Sequence, residues 1–323
     1  MLPKLEWGGL EMLKTPNGLL FFPMTPFNSD QSLNLKALQQ HLTLGLESEP
    51  GGIFLGCGAG EFHALSEQEI YEITDLATSI NRGDTPLFIG VGGPIQTAKN
   101  VATYAHAHGV DGLLVFPPYM VTASEEGLVR YFQELSTAAQ ISIIAYNRPG
   151  SILSIKVVEK LLDIENLVGI KDGMGDLDSV SEIVKVVTEW EKKNPSQRKI
   201  SFMNGTPTAE TSALRFREIG ITTYSSAVLS FAPEISKLFY ETLLDQRGEI
   251  TNALLDNFFL PLAEIRDEIE GGAVSLMKAG ARIRGFNYGG VRAPLMDFSG
   301  DQTIRLTSLM KRGMEIVQSA SKN

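Results

Sequence analysis

Leu167-Val-Gly-Ile-Lys171-Asp172-Gly-Met-Gly175 is a short apolar run that ends in a lysine and then in turn residues. About 25 positions upstream the pattern recurs as Ile141-Ser-Ile-Ile-Ala-Tyr146-Asn147-Arg148-Pro149-Gly150, this time ending in a tyrosine. Runs this short and apolar, bounded by glycine and proline, suit strands buried on both faces. A lysine and a tyrosine at the carboxyl ends of adjacent parallel strands set an amine nucleophile beside a proton carrier. That pairing suits Schiff-base chemistry on a keto substrate.

The same kind of run occurs at 19–23, 52–56, 86–91, 112–116, 142–146, 167–171, 200–204 and 221–226. Segments with helical spacing lie between them. Ser66 to Ile80 opens with Ser66-Glu-Gln-Glu69, a capping box. Thr97–His108, Ser124–Ala139, Ser154–Leu162, Asp176–Trp190, Thr206–Arg217 and Pro233–Gln246 continue the set, with Pro207 expected at a first helical position. Eight strand–helix units at intervals of roughly 20–35 residues predict an α/β chain folded as a (β/α)8 TIM barrel, an architecture that takes about 250 residues. The barrel is assigned to 1–247. Residues 248–323 read as a C-terminal helical extension built from 249–269, 273–284 and 303–320. A doubly wound sheet is the rival fold. It would seldom give such even units, and no Gly-x-Gly-x-x-Gly follows the first strand.

Composition excludes several classes. The chain has 323 residues, 43% hydrophobic and 20% charged, and a net charge of −10. Nucleic-acid binding requires a basic footprint that is missing here. The acidity also means that an anionic substrate must be held by local donors. No apolar stretch approaches the roughly 18 residues of a membrane span. Met1–Glu6 carries acid early and has no apolar centre, so no secretory signal is expected. The single cysteine, Cys57, allows no intramolecular disulfide and points to a reducing, cytoplasmic setting. Four histidines without ligand spacing predict no metal, and nothing calls for another cofactor.

In a barrel, chemistry lies at the carboxyl ends of the strands. Gly169 and Lys171 share a face, so Gly169 is expected to leave room beneath the lysine stem. Burial of the ammonium would favour the neutral amine. The bland reading is a strand-end lysine turned to solvent; for Tyr146 it is a core tyrosine with a satisfied hydroxyl. Gly58, Ala59 and Gly60 lie in a loop whose exposed N–H groups would form a nest for a carboxylate, or simply a tight turn. Gly205 follows the seventh run and is expected to contact substrate. Ser225 ends the eighth, as a substrate donor or as a cap. Gly90-Val-Gly-Gly93 lacks the residues of a phosphate loop and reads as a turn. Cys57 reads as a small buried hydrophobe.

Gly-x-Gly-Glu at 58–61, Tyr-Asn at 146–147 and Gly-Ile-Lys at 169–171, in this order, resemble the dihydrodipicolinate synthase / N-acetylneuraminate lyase family. The resemblance runs from about residue 17 to the end. It implies a class I aldolase-like barrel with Lys171 as Schiff-base lysine and Tyr146 as proton carrier. It also implies a second tyrosine, Tyr119, lent by a neighbouring subunit, and hence a homo-oligomer, usually a dimer of dimers. The chain departs from the family in three places. The hydroxyls common in the loop are replaced by Gly58 and Ala59. Ser151 stands where the synthases carry an arginine. The seventh strand ends Asn204-Gly-Thr-Pro207, without the acids that hold a polyol tail in the sialate lyases. These departures suit a keto-diacid substrate, which the resemblance implies is dehydrated and decarboxylated on the lysine, with Arg148 as counter-charge or, more plainly, as a surface ion pair; Ser225 and Lys278 are the next donors for the far end. A 2-keto-3-deoxy sugar-acid aldolase and a non-catalytic ligand-binding barrel are the alternatives.

Overall fold

The computed structural model describes residues 13–83 and 85–322. Met1–Glu6, read above as lacking a secretory signal, lies outside them. Eight parallel strands close into a barrel in sequence order, and β1 also pairs with β8. They are β1 (Leu19–Phe21), β2 (Ile53–Leu55), β3 (Leu87–Gly93), β4 (Gly112–Pro118), β5 (Ser142–Asn147), β6 (Leu167–Asp172), β7 (Ser201–Asn204) and β8 (Thr223–Ser226). The helices between them are α1 (Leu35–Leu46), α2 (Glu67–Asn81), α3 (Ile95–Ala107), α4 (Glu125–Ala139), α5 (Ile155–Leu161), α6 (Leu177–Lys193) and α7 (Ala213–Glu218), with α8 (Pro233–Leu244) closing the cycle.

Local chemistry sets most of these boundaries. Ser66 and Glu69 form the expected reciprocal cap of α2. Ser124 and Ser154 cap α4 and α5 by accepting from a backbone N–H three residues on. The seventh unit differs from expectation. Pro207 sits in a turn, a 3-10 turn follows at Ala209–Ser212, and α7 is only six residues long. The expected turn at 90–93 is instead the end of β3. A Cβ at Gly90 would meet the Gly56 carbonyl at 2.6 Å and the Phe116 ring at 2.8 Å, so glycine there lets neighbouring segments close up.

Two apolar layers result. The inner one fills the barrel with Leu20, Phe22, Phe54, Cys57, Phe88, Leu114, Phe116, Ile144, Val168 and Met203. Phe22 stacks on Phe54 at 4.5 Å and Phe54 on Phe88 at 4.9 Å. Cys57 is fully buried here, and burial raises its thiol pKa. The outer layer joins the strands to the helix ring.

After α8 the chain forms α9 (Gly248–Leu254), a π-helical turn (Leu255–Phe259) and α10 (Leu260–Asp267), then α11 (Gly272–Ile283) and α12 (Gly300–Ala320). Phe258 and Phe259 of the turn are fully buried, and the Phe259 ring packs edge-on to Phe239 of α8 at 4.8 Å. Tail and barrel therefore share one core. Among the described residues no helix is long and apolar enough to cross a membrane.

Candidate active site

β5 and β6 pair in register so that Tyr146 stands beside Lys171 and Asn147 beside Asp172. The ladder shifts between Ile143 and Ile144, which puts one extra residue into β6 at Val168. Val168 packs into the inner layer and Ile170 into the outer one. Gly169 and Lys171 then alternate with Ile170. The Lys171 side chain points into the barrel mouth and is 4% exposed. Its Nζ lies 3.9 Å from the Tyr146 ring centroid and 5.3 Å from that of Phe22.

The space expected beneath the lysine at Gly169 is taken by Met203, whose Cε would be 2.6 Å from a Cβ there. Room for the amine comes from Gly205, just past β7. The Gly205 carbonyl also accepts from Lys171 Nζ at 3.5 Å and from the Tyr146 hydroxyl at 3.3 Å. One backbone oxygen thus holds both groups. Its orientation is built locally. The Gly205 N–H donates to the Asp172 carbonyl at 2.6 Å. Asn204 accepts from Thr206 and donates to the Ala209 carbonyl and Ser212.

Asn147 and Asp172 tie the two strand ends together from the other face. Asn147 Nδ2 donates to Asp172 Oδ1 at 2.7 Å, and Asp172 Oδ2 accepts from the Gly175 N–H at 2.8 Å. Burial raises the Asp172 pKa, against these hydrogen bonds. A side chain at Gly173 would strike the Tyr146 ring at 2.9 Å. Phe22, Met203 and Asp172 were given no role from sequence, and Asn147 and Asn204 entered there only as parts of motifs. Asn147 and Asp172 follow the tyrosine and the lysine directly, so their pairing was readable from strand register.

The other expected residues are dispersed around the mouth. Gly58 is exposed, Ala59 half-buried and Gly60 buried, in the loop after β2. Among the described residues their N–H groups donate to no protein acceptor. Glu61, next in the chain, is left-handed (φ 59°) and fully buried. It pairs with Lys278 Nζ at 2.7 Å and accepts from the Arg292 N–H at 2.8 Å. Lys278, weighed from sequence as a reserve donor to substrate, is therefore committed to the loop, and burial lowers its pKa. Arg148 makes no ion pair among the described residues. Its guanidinium carbon lies 5.3 Å from the Tyr146 ring centroid. Ser225 is half-buried, with a long 3.5 Å contact to the Asn204 carbonyl. Tyr119 lies just beyond β4, 59% exposed, followed by exposed Met120 and Val121. Among the described residues no cluster of three or more His, Cys, Asp or Glu could hold a metal ion.

Fold and site together define a (β/α)8 barrel with a buried amine and a phenol at its mouth. The chain belongs to the dihydrodipicolinate synthetase family, whose profile it matches over residues 15–312. It is 39% identical over 306 residues to a probable 5-dehydro-4-deoxyglucarate dehydratase 1 of Streptomyces avermitilis, covering 95% of this chain and 96% of that one. A protein of the same name from Streptomyces coelicolor is 38% identical over 307 residues, with 95% and 96% covered. The crystal structure of dihydrodipicolinate synthase from Bacillus clausii superposes with a TM-score of 0.82 at 23% identity, over 93% of this chain and 98% of that one.

Proposed function

We propose that this protein is a Schiff-base lyase that converts 5-dehydro-4-deoxyglucarate to 2,5-dioxopentanoate, carbon dioxide and water. The observation that carries the reading is Lys171, an amine 4% exposed at the barrel mouth and 3.9 Å from the Tyr146 ring. Relatives bearing the dehydratase name at up to 39% identity support the choice of substrate. So does Arg148, a cation at the mouth that is paired with no acid among the described residues.

Number the substrate from the keto end: carboxylate C1, keto carbon C2, hydroxyls on C4 and C5, distal carboxylate C6. Lys171 adds to C2 and water leaves, giving an iminium. The cationic nitrogen acidifies C3. Loss of a C3 proton gives an enamine, whose electron pair expels the C4 hydroxyl as water. The iminium is then conjugated through C3 and C4. Electrons of the C5–C6 bond flow into it as C6 departs as carbon dioxide. Protonation at C3 and ketonisation of the C5 enol produce the aldehyde. Hydrolysis at C2 releases the keto acid and restores the amine. Tyr146 carries protons at C3 and at the C4 oxygen, and the Gly58–Gly60 N–H groups hold the C1 carboxylate.

The substrate is a small keto diacid, and the active assembly is a homo-oligomer in which Tyr119 reaches a neighbour's site, a dimer of dimers in a reducing cytoplasm. The division into a catalytic barrel over 1–247 and an extension over 248–323 belongs to the same reading, with Lys278 bracing the barrel from the extension.

Borohydride reduction in the presence of pyruvate, followed by peptide mass spectrometry, tests the lysine. The adduct is expected on Lys171, and an adduct elsewhere overturns the assignment. Mass spectrometry of products from 5-dehydro-4-deoxyglucarate tests the reaction. Carbon dioxide and the dioxo acid are expected, whereas pyruvate with an aldehyde would make the protein an aldolase.

A further inference from the structure

A second cavity, of about 320 Å³, opens on the outer face of β1. It lies between α1, the start of α8 and the segment 284–288. Pockets that hold small molecules begin at roughly this size. Phe21, Phe231, Phe286 and Tyr288 give it an aromatic lining.

Its polar lining includes several donors beside two carboxylates, Glu47 and Glu234. His41, on α1, is 3% exposed and lines the cavity. The Met24 N–H donates to His41 Nε2 at 3.1 Å, which leaves the ring proton on Nδ1. Burial keeps the ring neutral, its pKa pushed down to about 3. Among the described residues Nδ1 has no acceptor, so this N–H is left without a protein partner at the cavity wall. The Ser48 hydroxyl lines the same space and is likewise unengaged among the described residues. Lys237, half-buried at the rim, has no carboxylate within ion-pair distance among them. Arg284 is already bound to Glu234, at 2.7 and 3.2 Å, and Glu47 at the rim is exposed.

We propose that this cavity binds a small monocarboxylate with a planar or apolar body. His41 Nδ1–H, Ser48 and Lys237 take the carboxylate, and the aromatic side chains take the body. Among the described residues Lys237 is the one lining cation without an acid partner, which fits a single negative charge. A carboxylate would give the His41 N–H and the Ser48 hydroxyl the acceptor that the described residues do not supply.

Titration with phenylacetate, followed by ligand-observed NMR, tests this. Saturable binding with Kd of about 1 mM or tighter is expected. Leu44→Trp, which fills the cavity, should abolish it. Lys237→Glu should weaken it by about ten-fold or more, and neutral phenylacetamide should bind the native protein correspondingly less well. Lys171→Ala should bind phenylacetate as the native protein does, which separates this site from the barrel mouth and from the proposed reaction. If Leu44→Trp does not fold, Lys237→Glu at the rim decides. The proposal falls if nothing binds at about 10 mM. It also falls if Lys237→Glu or a folded Leu44→Trp binds phenylacetate as the native protein does, or if binding is lost in Lys171→Ala.

Discussion

Gly205 stands against Lys171 so closely that a methyl group would contest the amine's place. A Cβ on Gly205 would lie 2.3 Å from Lys171 Nζ and 2.8 Å from its Cε and Cγ. The backbone there has no left-handed φ, so the demand for glycine is one of space.

Gly205→Ala is therefore expected to fold and to misplace the amine. A displacement of about 1 Å at a reacting group costs on the order of 10²-fold in rate. The variant should lose kcat by that order and trap pyruvate more slowly, with its melting temperature nearly unchanged. Native kinetics in this variant would show that the amine does not need the space.

Arg148→Ala tests how the far end of the substrate is held. A charge-assisted hydrogen bond contributes roughly 1.5–3 kcal/mol, or about ten- to a hundred-fold in kcat/KM. The variant should lose that much on the diacid while trapping pyruvate normally, because pyruvate has no distal carboxylate. Equal losses on both would make Arg148 a brace for Tyr146, over whose ring it lies.

Tyr119, just past the end of β4, is 59% exposed. If it serves a neighbour, inactive Lys171→Ala and Tyr119→Phe proteins should complement after dissociation and reassociation, since a hybrid pair contains one site with both residues native. Recovery of no activity, or full activity of Tyr119→Phe alone, rules the sharing out.

Glu210 offers a prediction about pH. It is fully buried, accepts from the Ser226 hydroxyl and has its second oxygen unpartnered. Burial pushes its pKa up to about 7 from an ordinary 4.5. Between those values the folded protein holds a proton that the unfolded chain has released, so stability falls as pH rises from 4.5 through 7. Glu210→Gln removes that loss. Relative to the native protein it should gain stability between pH 5 and 8, on the order of 3 kcal/mol. Urea unfolding at both pH values measures it, and a gain on acidification instead would reverse the assignment.

The barrel was legible because eight apolar runs recur with helical segments between them, a pattern carried by local periodicity. α1 was not picked out, since Leu35–Leu46 is apolar through much of its length and opens at Asn34, a cap without a capping box. α7 came out shorter than expected, because Asn204, Thr206 and Ser212 bond among themselves where a helix was foreseen to start. Lys171 and Tyr146 were readable from strand ends and motif. Gly205 was read as a substrate contact, and its steric role emerges only when β7 lies beside β6. Lys278 looked available from sequence, but a neutralising partner 217 positions away has no local signature.

That Glu61–Lys278 pair also bears on how the molecule is made. Removing one partner of a buried ion pair costs roughly 3–5 kcal/mol. The loop that ends at Glu61 therefore cannot settle until α11 has joined it. On a ribosome, the first three-quarters of the polypeptide emerge with all eight strands complete and Glu61 still without its cation. The final helices act as a latch on a loop encoded long before them, so a chain that stops short of α11 is left with an acid that has no partner.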